Sequence, residues 1–363
     1  MFTEKHYLDS ISRRQLDAHL AKGWYRMGQA IFTCSFLIFN NQLYSAIWIR
    51  LPLATYQFRK SVRKIYRRNA SQFRVEMGLA ELNLEKEALY QRYRRNFPGR
   101  LAPTLRTSLL DDTDYNIYET YEFRIYDGDQ LIAFSFFDRG DESIASIMGV
   151  YDPEYDKNSL GFFTMLLEIE YGQEHQLKYY YPGYIVPGYP RFDYKLRIGK
   201  ETEVEAFSEK DQEWITYAAQ QEDPLPNVVM TEYLRSIQEE LKQQKIQTQL
   251  LLYPPYEANL LGYWILDYLE YPLILQCHPE TRHPIRLILV YDFSLHLYRL
   301  FYCTTYDDLS DFFMNELPAE TENIQLQLEL LIKEELVAET ASKEQIIEII
   351  AEQQRGLGSA LPF

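Results

Sequence analysis

Residues 151–195 read YDPEYDKNSLGFFTMLLEIEYGQEHQLKYYYPGYIVPGYPRFDYK, and this stretch decides the fold. A strand is predicted to lead into it over residues 143–150. Tyr151-Asp152-Pro153 stops that strand, because proline has no amide donor and biases its predecessor away from helix. Asn158 or Ser159 is placed to cap a helix running to about Glu174. Leu160, Phe163, Leu166, Leu167 and Ile169 crowd this helix, so it is expected to be buried on most sides. A second strand follows over residues 177–184. Strand, loop, helix and strand make a βαβ-like unit, whose strand end and helix-start amides favour an anionic ligand.

Upstream, residues 118–126 and 130–138 predict two strands around Asp127-Gly128-Asp129, a hairpin turn signal, and residues 142–151 a third. An antiparallel meander running into strand, helix and strand is the pattern of an acetyltransferase-type sheet. The loop at the helix start, residues 156–161 (DKNSLG), has one glycine and gives a pyrophosphate cradle little support. Ser12-Arg13-Arg14-Gln15 fits a capping box and Gly23 a helix stop, so residues 12–22 predict a helix. Residues 24–53 alternate in places and predict two or three strands. Asn83 caps a helix over residues 84–97, ended by Pro98-Gly99.

Residues 59–69, RKSVRKIYRRN, predict a basic helix. Lys60, Lys64 and Arg67 fall on one face, with Arg63 and Arg68 beside it and Arg59 at its start. The chain as a whole carries a net charge of −16, so the concentration is informative. Phosphate backbones are the common reason for such a segment, since each contact releases condensed counterions. The alternative is a solvated helix face.

At 363 residues the chain has room for two or three domains. Cys34, Cys277 and Cys303 lie far apart without a CxxC, which argues against a zinc ribbon or a disulfide scaffold and suits a reducing cytoplasm. No charged-then-apolar signal opens the chain. Asn40, Asn41, Gln42 and Arg50 interrupt the most apolar N-terminal run, so no membrane span is expected. Downstream, residues 198–219 predict a strand and a short helix, and 221–227 (QEDPLPN) a linker. Beyond it come a helix over 230–245, strands over 273–278, 286–292 and 295–303, and helices over 307–317, 323–338 and 343–354. His278, His283 and His296 fit no metal-ligand spacing, so no metal is expected.

Several short pieces share one order. Tyr151-Asp152-Pro153, Ser159-Leu160-Gly161, Ile169-Glu170, residues 179–181, Gly183-Tyr184 and Tyr194-Lys195 together resemble the C-terminal half of the aminoacyl-tRNA–protein transferases. These are the arginyl- and leucyl-transferases of N-terminal degradation signalling. Gly23-Trp24-Tyr25-Arg26, residues 49–53, the basic run, Gln91-Arg92-Tyr93 and Phe97-Pro98-Gly99 extend the resemblance over about residues 10–199. Two departures stand out. Cys34 is alone where the family has several cysteines, so the resemblance brings no metal or iron–sulfur site. Arg191-Phe192 replaces the family's Lys-Met and keeps the charge.

The resemblance implies an α+β chain with a GNAT-type mixed sheet at residues 108–220. A small N-terminal α/β domain with the basic helix precedes it (1–107), and an accessory α+β domain of unknown role follows (221–363). It implies transfer of arginine or leucine from aminoacyl-tRNA to the α-amine of an acceptor protein with a destabilising N-terminal residue. No cofactor is called for. Asp152 and Glu170 become candidates for holding or deprotonating the amine, and Ser159 for capping the helix or donating to the ester. Lys195 would neutralise a terminal tRNA phosphate or an acidic acceptor residue, and Tyr184 and Tyr194 would stack on terminal bases. Arg59, Lys60, Arg63, Lys64, Arg67 and Arg68 would meet tRNA phosphates. Each has a plain structural alternative: a turn aspartate, a paired acid, an exposed lysine, core aromatics. Two other functions stay open, an acyltransferase using another donor and a non-catalytic tRNA- or protein-binding relative.

Overall fold

The computed structural model describes residues 2–97, 99, 101–263, 267–277, 285–310 and 325–359. In chain order the first elements are β1 (Thr3–Tyr7), α1 (Arg13–Leu20), β2 (Tyr25–Met27), β3 (Ala30–Cys34), β4 (Phe36–Phe39), β5 (Gln42–Ser45) and β6 (Ile47–Pro52). Next come α2 (Lys60–Gln72), β7 (Arg74–Leu79), α3 (Leu84–Asn96), α4 (Leu105–Leu110), β8 (Thr120–Asp127), β9 (Gln130–Arg139) and β10 (Ser143–Tyr151). Then follow α5 (Leu160–Glu174), β11 (Tyr179–Ile185), β12 (Glu205–Ser208), β13 (Glu213–Thr216) and α6 (Tyr217–Gln220). The last are α7 (Pro226–Gln243), β14 (Thr248–Leu252), β15 (Leu273–Cys277), β16 (Ile285–Asp292), β17 (Leu297–Asp308), β18 (Gln325–Leu326), β19 (Glu329–Thr340) and α8 (Lys343–Ser359).

Two compact units result. One comprises Lys5–Thr33 and Ile47–Glu222, the other Met1–Glu4, Cys34–Ala46 and Asp223–Phe363. The first is built on an eight-stranded mixed sheet in the order β13-β12-β6-β11-β10-β9-β8-β7. Only β10 and β11 run parallel; the other neighbours are antiparallel. The expected boundary at 107/108 passes through this sheet, since β6 and β7 precede it. Burial on both faces explains the near-continuous apolar run of β9, LIAFSFF. Phe134 and Phe136 pack with Leu89 and Tyr90 of α3 on one face. On the other, Phe137 meets Tyr171 of α5 with ring centroids 5.4 Å apart.

Local signals account for many of the boundaries. Ser12 and Gln15 form the capping box of α1, and the Asn83 side chain accepts from the Lys86 amide at the start of α3. Gly128 turns the β8–β9 hairpin at φ 59°. Residues 24–53 form five short strands rather than two or three. Gly28 and the pair Asn40-Asn41, all at positive φ, cut the alternating run into hairpins.

The second unit has a six-stranded sheet, β18-β14-β15-β16-β17-β19. Met230, Leu234, Ile237 and Leu241 of α7 are buried in its core at helical spacing. Most of the helix expected over residues 323–338 is instead β19, which pairs along β17. Pairing with a twelve-residue partner overrides the helix propensity of its Leu and Glu residues. Of the helix expected over 307–317, Asp307 and Asp308 end β17, and residues 311–317 lie outside the described residues. His278 and His283 also lie outside them, while the His296 ring lies beside the Tyr291 hydroxyl.

This division predicts how the chain can be cut. In the second unit Phe36 is fully buried, 5.7 Å from the Phe293 ring, and its carbonyl accepts from Tyr256. Truncation after Gln220 leaves that hairpin uncovered and is expected to give an aggregating product. A chain of residues 5–222 with 34–46 replaced by a short linker is expected to unfold cooperatively. The Ala46 amide donates to the Ser35 carbonyl at 2.8 Å, so the joined ends are already close. Size-exclusion chromatography and thermal melts of the two products check this.

Candidate active site

The parallel pair at the sheet centre does not stay paired. Ser143, Ile144 and Ala145 face Tyr179, Tyr180 and Tyr181, and there the register ends, although β10 runs to Tyr151 and β11 to Ile185. Local sequence explains the parting. Pro182 has no amide to donate, and Gly183 takes φ 92°, which favours glycine. The β10–β9 register also shifts between Ser146 and Met148. A bulge at such a place re-aims side chains. Tyr25 of β2 ties the two strands where they part, its hydroxyl donating to the carbonyls of Ser146 and Tyr181.

Glu168 of α5 comes up beneath this parting. Its side chain is fully buried, and one carboxylate oxygen accepts from the Tyr180 hydroxyl at 2.9 Å. The other oxygen, Oε1, has no hydrogen-bond partner among the described residues, nor has the buried Ser135 hydroxyl. Burial pushes the Glu168 carboxyl up to about 7, and the nearby Ser135, Ser146 and Tyr180 hydroxyls restrain the rise. Tyr25 and Tyr180 are held well above the usual phenol range, chiefly by burial and with Glu168 adding to it.

Lys195 approaches from the segment after β11. Its Nζ donates to the Tyr184 carbonyl at 2.9 Å and lies 5.2 and 5.4 Å from the Tyr184 and Phe192 ring centroids. Burial of the amine among these rings pushes it down to about 7. A Cβ at Gly183 would stand 3.1 Å from that Nζ, so glycine leaves the space the amine uses. Tyr194 as a residue is 43 % exposed, yet burial raises its hydroxyl to about 12, with Glu168 adding to the rise. A carboxyl and an amine that both change charge near pH 7 can exchange protons with a reacting group at neutral pH.

Residues 85–204 match the family described as Arginine-tRNA-protein transferase, C terminus. The chain is 29 % identical over 193 residues to the aspartate/glutamate leucyltransferase of Leptospira interrogans, covering 52 % of this chain and 73 % of that one. It is 28 % identical over 198 residues to the enzyme of the same description from Campylobacter jejuni, covering 53 % and 80 %. Over these residues the chain is similar to the aminoacyl-tRNA–protein transferases. Among solved structures it is similar to L-PGS from Bacillus licheniformis, at 13 % identity and TM-score 0.30, over 39 % of this chain and 45 % of that one. It is also similar to a GCN5-related N-acetyltransferase from Anabaena variabilis, at 12 % identity and TM-score 0.31, over 57 % and 43 %.

The residues singled out from sequence separate into groups. Tyr184, Tyr194 and Lys195 stand around the strand parting with Glu168. Glu170 does not: two positions along the helix it has turned away from the sheet, and its carboxylate accepts from Tyr66 of α2. Asp152 is buried, bonded to the Arg92 guanidinium at 2.9 Å and to the Glu154 amide at 3.2 Å, so it caps the turn over Pro153–Asn158. Ser159 precedes α5 in the left-handed region, φ 54° and ψ 45°, and its hydroxyl makes no cap bond. A capping hydroxyl needs extended backbone to reach the N2 or N3 amide, and Ser159 lacks it.

Glu168 was missed, although the sequence carries a signal for it. On an otherwise apolar helix it lies in one row with Gly161, Thr164 and Gly172. Small residues mark the face that approaches the sheet: a Cβ at Gly172 would stand 2.7 Å from Leu53. A carboxylate in such a row is directed inward. Arg59, Lys60, Arg63, Lys64, Arg67 and Arg68 are all exposed on or beside α2, and none forms an ion pair among the described residues. Arg59, Arg63 and Arg68 donate to backbone carbonyls. No group of three or more His, Cys, Asp or Glu among the described residues could hold a metal, and no described helix is long and apolar enough to cross a membrane.

Proposed function

We propose that this transferase moves leucine from leucyl-tRNA to proteins that begin with aspartate or glutamate, and that the strand parting around Glu168 and Lys195 is where it does so. Transfer of an amino acid from aminoacyl-tRNA to a protein N-terminus is the reaction of its family. Leucine and the acidic acceptors are carried by the relatives' descriptions. The observation that carries the site is the fully buried Glu168 carboxylate with one unpartnered oxygen at the centre of the sheet.

The chemistry follows from this placement. An α-amine titrates at roughly 7.7–8.0, so it must lose a proton to attack near neutrality. Glu168 takes that proton. The nitrogen bonds to the ester carbonyl carbon, and the ester bond to the ribose oxygen breaks. Lys195, as the ammonium, stabilises the oxyanion and gives its proton to the departing ribose oxygen; the second proton shed by the attacking nitrogen as it becomes the amide restores the Lys195 ammonium, and the proton on Glu168 is released to water. No cofactor enters the scheme. The parallel pair that separates after three residues also supports an acetyltransferase-type reading of the sheet. Dependence on charged tRNA makes the cytoplasm the natural compartment.

The basic face of α2 would hold the tRNA backbone. Reversing Arg63, Lys64, Arg67 and Arg68 to glutamate is expected to weaken tRNA binding and reduce its logarithmic salt slope by about 0.7–0.9 per lost contact. Filter binding at several salt concentrations measures both, and an unchanged slope in a folded variant removes α2 from the interface. The function itself is tested by transfer of labelled leucine and arginine from charged tRNA to peptides starting with Asp, Glu, Lys or Arg. Transfer of leucine to the first two is expected. Arginine transfer instead, or none, overturns this reading.

A further inference from the structure

Arg191 follows β11 in the turn Pro190–Ile198. Its guanidinium lies over the Phe97 ring, 4.4 Å from the centroid. A Cβ at Gly99 would stand 2.5 Å from its Nη1, so glycine leaves the space the cation occupies. Its Nη2 is buried and has no hydrogen-bond partner, and no carboxylate pairs with the side chain among the described residues. Arg92 differs, because Asp152 already neutralises it.

A ring face satisfies part of a guanidinium's charge, but its N–H edge still needs an acceptor. Leaving a buried charged donor unbonded is costly, and a planar carboxylate is the group that matches its fork. The neighbours locate this edge. Tyr93, whose ring is 5.4 Å from Phe97 and 5.2 Å from Tyr151, is in electrostatic reach of both Arg191 and Tyr194. Tyr194 is in turn within reach of Glu168. The cation therefore lies at one edge of an aromatic row, Phe97, Tyr93 and Tyr151, that leads to the end of β10. An acceptor's first residue carries its α-amine and its side-chain carboxylate only a few bonds apart.

We infer that Arg191 binds the side-chain carboxylate of the acceptor's first residue and so sets the preference for aspartate and glutamate. This rests on the transferase reading above. A nucleic-acid phosphate is the competing occupant. The exposed cations of α2 suit phosphates better than a half-buried fork between a ring and a glycine.

The test is binding of peptides that differ only in starting with Asp or Asn, measured by calorimetry on the full chain. The parent is expected to prefer Asp on the order of 10²-fold, the scale of a charged donor left unpaired. In Arg191→Gln the preference is expected to vanish while affinity for charged tRNA stays within about twofold. Arg191→Lys keeps the charge without the fork, and part of the preference is expected to survive; it decides the matter if the glutamine variant does not fold. Equal binding of the two peptides by the parent, an undiminished preference in the variants, or a loss of tRNA affinity instead overturns the assignment. Leucine transfer to the same peptides separates the two ideas. An Arg191-dependent preference without transfer would count against the transferase reading and leave this assignment standing. Transfer without that preference would do the reverse.

Discussion

Glu168→Gln is expected to lower transfer by on the order of 10²–10⁴-fold with little change in tRNA affinity, and at the same time to stabilise the fold at neutral pH. Both effects come from the same buried carboxylate. Glutamine keeps the shape and can still accept from Tyr180, but it takes up no proton. The sign of the stability effect follows from the shift. Burial raises the Glu168 carboxyl from 4.5 to about 7, so the fold favours the protonated form. Its contribution is fully present below pH 4.5 and is lost as pH rises to 7. Glutamine loses nothing over that window. Parent and variant should therefore melt together near pH 4 and diverge above it, by about 3 kcal/mol once pH exceeds 7. Thermal melts from pH 4 to 8 alongside single-turnover transfer measure both. A variant that transfers at the parent rate would remove Glu168 from the reaction, whatever its stability. Glu170→Gln is the control, since that carboxylate meets Tyr66 rather than the strand parting.

Lys195→Met is the second large effect, expected at on the order of 10²-fold or more in transfer. It also changes the shape of the pH profile. Glu168 must be ionised and Lys195 protonated, and both titrate near 7, so the parent is expected to show a narrow bell centred there. Removing Lys195 abolishes the falling limb. Removing Glu168 moves the rising limb towards the amine's own range, roughly 7.7–8.0. Stability again has a defined sign. Burial lowers the Lys195 amine from 10.5 to about 7, so the fold favours the neutral form and loses stability as pH falls from 10.5 to 7. Methionine fills the same aromatic surroundings without that loss, so the variant should melt higher than the parent near pH 7. An unaltered pH profile would show that Lys195 carries no proton in the reaction and acts only by packing.

The sequence by itself determined the organising unit. Pro153 ends one strand, an apolar run of helical length follows, and a tyrosine-rich strand returns; the structure has β10, α5 and β11 there. Local causes suffice for such elements, because a missing amide donor or a capping side chain acts within a few residues. The basic helix was legible for the same reason, since six cations in ten residues need no tertiary partner to be recognised. Where each carboxylate points is a different kind of fact. Glu168 and Glu170 lie in one short segment, EIE, and differ only in which side of α5 meets the sheet. That choice is made by the packing of Gly161, Thr164 and Gly172 against strands distant in sequence. The pairing of Asp152 with Arg92, 60 residues earlier, was equally beyond local reading. So was the fate of residues 329–340, where strand pairing outweighed the propensity of the segment itself. Tertiary contact alone takes the Glu168 carboxylate fully out of water and leaves Glu170 half-buried beside Tyr66.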